Sequence, residues 1–276
     1  MSTLTLTARR EGSHLASWPT PRLVGAELLK LRKRRALVAT VAAMTLGASV
    51  VLYGILAILH AANPAHHGPA GGVTNLGHGL FVLGLLGAVA ATLVGVNAGA
   101  GDLGAGVFRE LVVTGRSRRA LFRARVPGGL LFLLPFVAVA YALAAAASVV
   151  FAGSLAAPST TLLAESGAWL LLDAAFYFLL ALGVSSLIGS RTTSVGVLLA
   201  WRLALSPLLI AISFLGVARE VVPGAALGRL GPHAVAGFLS QGPQLTMSAG
   251  AAVTVLVVWT AFALGVGAWR TVTRDA

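Results

Sequence analysis

Two charged side chains lie within long apolar stretches of this sequence, where they could do chemistry inside a membrane. Asp173 and Arg202 are the charged residues of six apolar runs that together make up about half of the chain. A charge at the bilayer centre costs about 2.5–3.5 kcal/mol on the insertion scale, so such residues are candidates for a functional site. We expect both to face a polar cavity or each other. The alternative is that Arg202 extends to the interface beside Trp201.

Other patterns that could carry chemistry are weak. Ser185 and Ser186 loosely resemble an intramembrane serine site, but the last apolar run offers no histidine as a base. Four histidines between the first two runs could bind zinc, but no carboxylate accompanies them, so we expect polar loop residues and no metal site. These are His60, His66, His67 and His78. The sequence has no G-x-x-x-x-G-K-[ST] motif, so nothing in it is expected to hold ATP, and it has no H-E-x-x-H motif of a metalloprotease. We therefore expect no catalytic residues, no bound cofactor and no enzyme activity in this chain.

The apolar runs predict an all-α integral membrane protein with six transmembrane helices. Hydrophobic residues make up 57% of the 276 residues and charged residues only 10%, whereas soluble domains carry about 25% charged residues. Each run has the length of about 20 residues that a helix needs to cross a bilayer, and none alternates as a barrel strand would. The runs cover residues 36–59, 79–100, 128–152, 167–188, 194–217 and 247–269.

The placement of the basic residues predicts the orientation. If the helices cross in turn, 17 of the 20 Lys and Arg residues lie on one side, which places both termini in the cytoplasm. The net charge of +12 is then an orientation signal and a docking surface, and we expect no nucleic-acid partner. We expect a multi-pass protein of the cell membrane, and the Ala-rich, Lys-poor composition favours a bacterial source. Residues 1–21 are predicted as a cytoplasmic tail, disordered at its start, and residues 22–276 as one membrane domain whose first helix is an uncleaved anchor.

An amphipathic segment precedes the first run. Val24, Leu28 and Leu31 form an apolar stripe at helical spacing, while Lys30 and Arg34 belong to the basic residues on the other faces. This pattern predicts a helix along the lipid headgroups, with its stripe in lipid and its cations near phosphates. The alternative is a basic cluster that only orients the first span.

The connection between the second and third runs combines apolar and basic residues. Val107, Phe108 and Leu111 recur at helical spacing, with Arg109 and Glu110 turned the other way. A short helix here would offer an apolar face to a cytosolic partner protein. The alternative is a basic cytoplasmic loop with an incidental pattern. Just before it, Gly95 and Gly99 fit the G-x-x-x-G spacing that permits close helix packing.

Taken together, these segments resemble those of a known family. The stretch GAELLKLRKRR before the first of six spans, and GDLGAGVFRELVVTGRSRRALFRARV after the second, are similar to the permease subunit of a type-2 ATP-binding-cassette (ABC) exporter. Val107 stands where that family usually has Thr, and Gly115 where it usually has Pro. The positions that match its pattern are Asp102, Gly106, Arg109, Leu111, Ser117, Arg118 and Arg125.

The resemblance implies an export machine of several subunits. It implies a second permease subunit, in a homodimer or a heterodimer, and cytosolic ATPase subunits that bind ATP and Mg. The residues of its amphipathic elbow helix would be Val24, Glu27, Leu28, Lys30, Leu31 and Arg34. The residues of its ATPase-docking coupling helix would be Val107, Phe108, Arg109, Glu110, Leu111, Arg118 and Arg119. It also implies short re-entrant helices within residues 219–244, for which a plain surface loop is the alternative.

The resemblance implies ATP-driven export, and the few polar groups in the predicted helices suit a hydrophobic or amphipathic substrate. A gradient-driven carrier or a channel is the main alternative, although two ionisable groups are few for such a path. An intramembrane enzyme is a weaker alternative.

Overall fold

The regular structure of the chain is helical wherever it is described. The computed structural model describes residues 20–104, 106, 117–232 and 247–273, and no strand occurs among them. Six helices are long and apolar enough to cross a membrane, which confirms the predicted number of spans. The elements are α1 (Pro21–Lys33), α2 (Arg35–Ala62), α3 (Gly72–Gly104), α4 (Arg118–Val150), α5 (Thr160–Ile188), α6 (Arg191–Ala211), α7 (Pro223–Leu230) and α8 (Ala249–Thr273).

Side-chain caps set where several of these helices begin. The hydroxyls of Thr20, Ser117, Ser159 and Ser190 each accept a hydrogen bond from a backbone N–H of the first turn of α1, α4, α5 and α6. At the other end of α5, Gly189 adopts a left-handed conformation with a φ of 78°, which ends the helix. Because the cap at Ser117 precedes the apolar run of α4, the helix begins ten residues before the predicted residue 128.

The fifth span differs from its prediction. The apolar run continues to residue 217, but α6 ends at Ala211 and a 3-10 segment follows over Ser213–Val221. Ile212 is extended, and Gly216 has a φ of 51° and a ψ of −128°, which no helix allows. Apolar composition extends the run, whereas these two backbone conformations end the helix. The 3-10 segment is largely exposed, with Phe214 95% accessible.

Glycine positions bring α3 and α5 into backbone contact. A Cβ at Gly95 would lie 2.5 Å from the Phe178 carbonyl oxygen, and a Cβ at Gly99 would lie 2.6 Å from that of Leu182. The G-x-x-x-G spacing therefore serves the close packing that the sequence predicted. These helices form the centre of the bundle, while α2, α6 and α8 expose most of their apolar surface.

Cations gather at one end of the bundle, here called the cationic end. The starts of α2, α4 and α6 and the ends of α3 and α8 meet there, as shown by the hydrogen bond of 3.1 Å from Arg118 Nη1 to the Val272 carbonyl oxygen. Lys30, Arg32, Lys33, Arg34, Arg35, Arg119, Arg125, Arg191 and Arg270 belong to the same end. Arg219 and Arg229 are the described cations of the opposite end.

The helix α1 packs on the bundle rather than in lipid. Leu31 is 1% exposed and belongs to the hydrophobic core, and Leu28 packs against that core. Gly128 of α4 lies so close to α1 that a Cβ there would be 2.8 Å from Glu27 Cβ. The prediction that the apolar stripe lies in lipid was therefore wrong for Leu31, which the protein core buries, while Gly128 lets α1 approach α4 closely.

Candidate functional site

A buried ionic cluster joins α1, α3 and α4 at the cationic end. It consists of Glu27, Lys30, Asp102 and Arg125 and is called here the Asp102 cluster. Asp102 Oδ2 accepts hydrogen bonds from Lys30 Nζ at 3.0 Å and from Arg125 Nη2 at 2.9 Å. Lys30 Nζ also lies 2.6 Å from Glu27 Oε2. The cluster therefore places two carboxylates and two cations in alternation.

The burial of this cluster makes its pairing obligatory. Arg125 is 1% exposed and Asp102 is 4% exposed. Arg125 Nη1 also donates to the Gly99 carbonyl oxygen at 3.2 Å, which fixes the guanidinium against the last turns of α3. A buried charge that loses its partner costs several kcal/mol. Asp102 and Arg125 therefore hold α3 and α4 together where both approach the connection of residues 105–116.

A second polar group lies beside this cluster and involves α6. Asn97 Oδ1 accepts a hydrogen bond from Arg34 Nη1 at 2.8 Å and another from Arg191 Nη2 at 2.6 Å. Asn97 Nδ2 donates to the Leu93 carbonyl oxygen at 2.8 Å, which orients the amide. We call these three residues the Asn97 fork. It links the junction of α1 and α2 to the start of α6 through α3.

Sequence reasoning found part of this site. It named Lys30, Glu27 and Arg34 as elbow residues, and Asp102 and Arg125 as positions of a family pattern. It missed Asn97 and Arg191. The only sequence signal for Asn97 is an amide within an apolar run, which often satisfies its own helix, and a single arginine between two spans is read as an orientation signal.

The residues predicted for partner docking are only partly described. Val107, Phe108, Arg109, Glu110 and Leu111 lie outside the described residues. Arg118 and Arg119 begin α4, and Arg119 is exposed. The structure thus locates the two helices that flank the predicted coupling helix and leaves that helix a prediction.

The two charges in the apolar runs lie near the middle of their helices, α5 and α6. The Arg202 guanidinium stacks 4.9 Å from the ring centre of Tyr177, one helical turn after Asp173. A cation over an aromatic face is stabilised by the ring quadrupole. Within the described part of the chain, Asp173 Oδ2 and Arg202 Nε are buried without a hydrogen-bond partner. The three residues form an intramembrane polar group, called here the Asp173 group.

Local backbone geometry places Arg202 in this group. It lies in a π-helical turn, Trp201–Leu205, within α6, and Pro207 follows in the next turn. A π-turn widens the helix by one residue and re-aims its side chains, which is why such turns are frequent at functional sites. The backbone geometry of α6 therefore sets the direction in which the Arg202 side chain extends. Its guanidinium stacks on an aromatic partner on α5, Tyr177.

Segments at the opposite end close over α5 and α8. Trp169 Nε1 donates to the Leu227 carbonyl oxygen, Trp259 Nε1 to that of Val221, and Arg229 Nε to that of Met247, at 2.8–2.9 Å. Ala225, Ala226 and Leu227 of α7 are buried. The described part of the predicted re-entrant region, residues 219–232, therefore contains a packed helix, Pro223–Leu230, preceded by the last residues of the 3-10 segment. Residues 233–246 lie outside the described part.

The remaining candidates bond mostly within their own helix or turn, and the Ser185 hydroxyl also lies 3.5 Å from the Gly95 carbonyl oxygen of α3. The hydroxyls of Ser185 and Ser186 both donate to the Leu182 carbonyl oxygen, at 3.3 and 2.7 Å, as helix serines commonly do. His60 Nδ1 lies 2.7 Å from the His67 carbonyl oxygen, and His66 Nδ1 lies 3.2 Å from Asn63 Oδ1. These contacts place the two serines in a helix interface and the histidines in a turn.

Comparisons with known proteins do not assign this chain to a family. No protein-family model matches the chain, and no curated protein gives a significant match. The described part of the chain has six helices long and apolar enough to span a membrane, which is the architecture of a multi-pass membrane protein.

Proposed function

We propose that this chain is the transmembrane subunit of an ATP-driven ABC transporter that exports a hydrophobic or amphipathic substrate. A separate cytosolic ATPase subunit would supply the energy, and a second permease subunit would complete the path. In this proposal the cationic end faces the cytoplasm of a bacterial cell, α1 is the elbow helix, and residues 107–113 form the coupling helix.

The observation that carries the proposal is the Asp102 cluster. A coupling segment can move membrane helices only if it is firmly attached to them. Asp102 precedes the connection of residues 105–116 and Arg125 follows it, and their buried ion pair of 2.9 Å joins both flanking helices. Lys30 adds α1 to the same unit. A force applied to the connection would thus reach α1, α3 and α4 together.

The exposed basic residues support a protein partner at this end. Arg119 and Arg123 lie exposed in the first two turns of α4, directly after the connection. With Phe108 and Leu111 they would present apolar and cationic contacts, as docking surfaces between protein subunits commonly do. This support comes from the positions of these residues and from the types of their side chains.

Co-purification tests the proposal. The full chain is expressed with the ATPase encoded nearest to its gene, and the complex is isolated on a tag attached to this chain. We expect the ATPase to co-purify, and the double variant F108D/L111D to lose it, because a charge in an apolar interface is unpaired and desolvated. The matched variant F214D/V217D alters two exposed apolar residues at the opposite end and should retain the ATPase. Transport by the purified chain without ATP would contradict the proposal.

The Asp173 group favours a second candidate, a gradient-driven carrier. A buried carboxylate oxygen without a hydrogen-bond partner, in the membrane, is a typical place for a coupling ion or proton. Reconstituted vesicles distinguish the two functions. A carrier would move substrate in response to an imposed proton or sodium gradient in the absence of any ATPase, whereas the ABC permease would not.

A further inference from the structure

We propose that the Asn97 fork binds a phosphate group of an anionic membrane lipid. Arg34 and Arg191 donate to the same neutral amide oxygen, at 2.8 and 2.6 Å, and so hold two guanidinium groups side by side. This inference concerns a lipid site on the protein. It requires only that the cationic end lies at a membrane surface, and it is independent of the proposed transport function.

The charge balance around the fork points to an anion. Both oxygens of Asp102 are bonded to Lys30, and Oδ2 also to Arg125, while Glu27 pairs with Lys30. Among the described residues, no carboxylate lies within ion-pair distance of Arg34 or Arg191. Two guanidiniums therefore share an uncharged acceptor, and the remaining N–H donors can bind the oxygens of one phosphate, which arginine recognises in a bidentate manner.

Packing holds the fork open toward the membrane surface. The Arg34 guanidinium lies over Gly101, where a Cβ would be 3.3 Å from Nη1, so that glycine leaves room for it. Asn97 is 7% exposed, whereas Arg191 is exposed at the first residue of α6. The amide is thus a buried anchor, Arg34 is half-buried beside it, and Arg191 lies at the exposed rim.

The surrounding helix ends favour a lipid over a soluble ligand. Arg32, Lys33 and Arg35 are exposed beside the fork, and basic residues near an anionic leaflet each add about 1 kcal/mol of attraction. Farther along the two helices that begin at the fork, exposed apolar residues such as Val50 on α2 and Leu203 on α6 offer surface suited to acyl chains. A diacyl phospholipid could place its phosphate in the fork and its chains along these two helices.

The test measures lipid retention by the full chain. The protein is purified in detergent, titrated with phosphatidylglycerol or phosphatidylcholine, and analysed by native mass spectrometry and thermal unfolding. Inorganic phosphate is titrated separately. We expect phosphatidylglycerol to bind and stabilise, and phosphatidylcholine and inorganic phosphate to have little effect. Equal stabilisation by inorganic phosphate and phosphatidylglycerol would overturn the assignment to a lipid and identify a site for free phosphate.

Two pairs of substitutions separate the fork from general surface attraction. R34Q/R191Q removes the fork, and R32Q/R35Q removes the same charge from exposed neighbours. Measurements at about 1 M salt screen diffuse attraction, because the Debye length falls to about 3 Å. At this salt concentration we expect R34Q/R191Q to lower phosphatidylglycerol affinity about tenfold or more, as for two lost charge-assisted contacts. We expect R32Q/R35Q to change it less than about threefold, because the diffuse attraction of the exposed neighbours is screened. Equal losses would overturn the proposal.

A third variant guards against a folding defect. N97D gives the two arginines an internal carboxylate, which competes with a phosphate for the same donors. We expect this variant to unfold at the wild-type temperature or above it and to lose affinity for phosphatidylglycerol. Unchanged affinity in a folded N97D protein would overturn the proposal.

The acidic residues outside the described part provide the last control. E11Q, E110Q and D275N each remove one carboxylate that could reach the fork from the rest of the chain. We expect none of them to raise lipid affinity. A clear rise for one variant would overturn the lipid assignment, because it would show that the chain itself supplies the anion.

Discussion

Arg125 Nη2 donates to Asp102 Oδ2 over 2.9 Å, between two side chains that are almost fully buried at the ends of neighbouring helices. The pair is completed from a third helix by Lys30, whose ammonium is partly exposed. A buried ion pair adds little net stability, because the cost of desolvating the two charges offsets their attraction. Removing one partner is nevertheless costly, since it leaves the other charge buried without a counterion. It fixes the relative position of α1, α3 and α4.

Removing the acidic partner should destabilise the protein. D102N leaves the Arg125 charge buried without its counterion, which costs about 3–5 kcal/mol. We expect a clear fall in the midpoint of unfolding of the detergent-purified chain. K30Q should cost about 1 kcal/mol or less, because Lys30 is partly exposed. The double variant D102L/R125M removes both charges and should recover much of the loss. A D102N protein as stable as the wild type would contradict the role of the pair.

The contact between α3 and α5 predicts a position-specific effect of alanine. A Cβ at Gly99 would lie 2.1 Å from Ser185 Oγ and 2.6 Å from the Leu182 carbonyl oxygen, whereas a Cβ at Gly87 on the same helix meets nothing within 4 Å. G99A should therefore destabilise by about 1–3 kcal/mol through overpacking. G87A should be neutral or slightly stabilising, because alanine favours a helix. Thermal unfolding of both variants tests the contact. Similar unfolding midpoints for G99A and G87A would contradict it.

The Asp173 group predicts a functional defect without loss of the fold. D173N keeps the shape of the side chain and removes the charge that lies near Arg202. We expect transport to fall about tenfold, which corresponds to about 1.4 kcal/mol. The unfolding midpoint should stay close to the wild type, because Asp173 Oδ2 makes no hydrogen bond and Arg202 keeps its stacking on Tyr177. R219Q, at the opposite end of the bundle, is the matched control. Unchanged transport by D173N would show that transport does not depend on the Asp173 charge, either in a substrate path or in a pair with Arg202.

The orientation of the helices can be tested by labelling. The chain has no cysteine, so single cysteines can be introduced without altering a background. His66 is exposed in the turn after α2, and Arg32 is exposed at the cationic end. We expect a membrane-impermeant maleimide to label H66C in intact cells and to label R32C only after the membrane is opened. The reverse pattern would place the cationic end outside and contradict the proposed ATPase partner.

Hydrophobicity alone predicted the number of spans, because a bilayer requires about 20 apolar residues for each crossing. It could not predict that α6 ends at Ala211, since the end depends on the backbone of Ile212 and Gly216 rather than on polarity. Asp102 and Arg125 were found through a resemblance, but their pairing needed the three-dimensional arrangement. Asn97 was missed because its partners, Arg34 and Arg191, lie 63 and 94 residues away in the chain.

The glycine contacts of α3 and α5 have a mechanical consequence. Two helices whose backbones touch cannot slide or separate without breaking many close contacts at once, since packed interfaces are bistable and not continuously deformable. We therefore expect α3 and α5 to keep a fixed position relative to each other at the centre of the bundle. The outer helices α2 and α6 bury less of their surface, and each contains a π-helical turn, at Ala43–Gly47 and at Trp201–Leu205. We expect a change of shape to move these outer helices against the fixed pair, and a movement of α6 would carry Arg202 toward or away from Asp173.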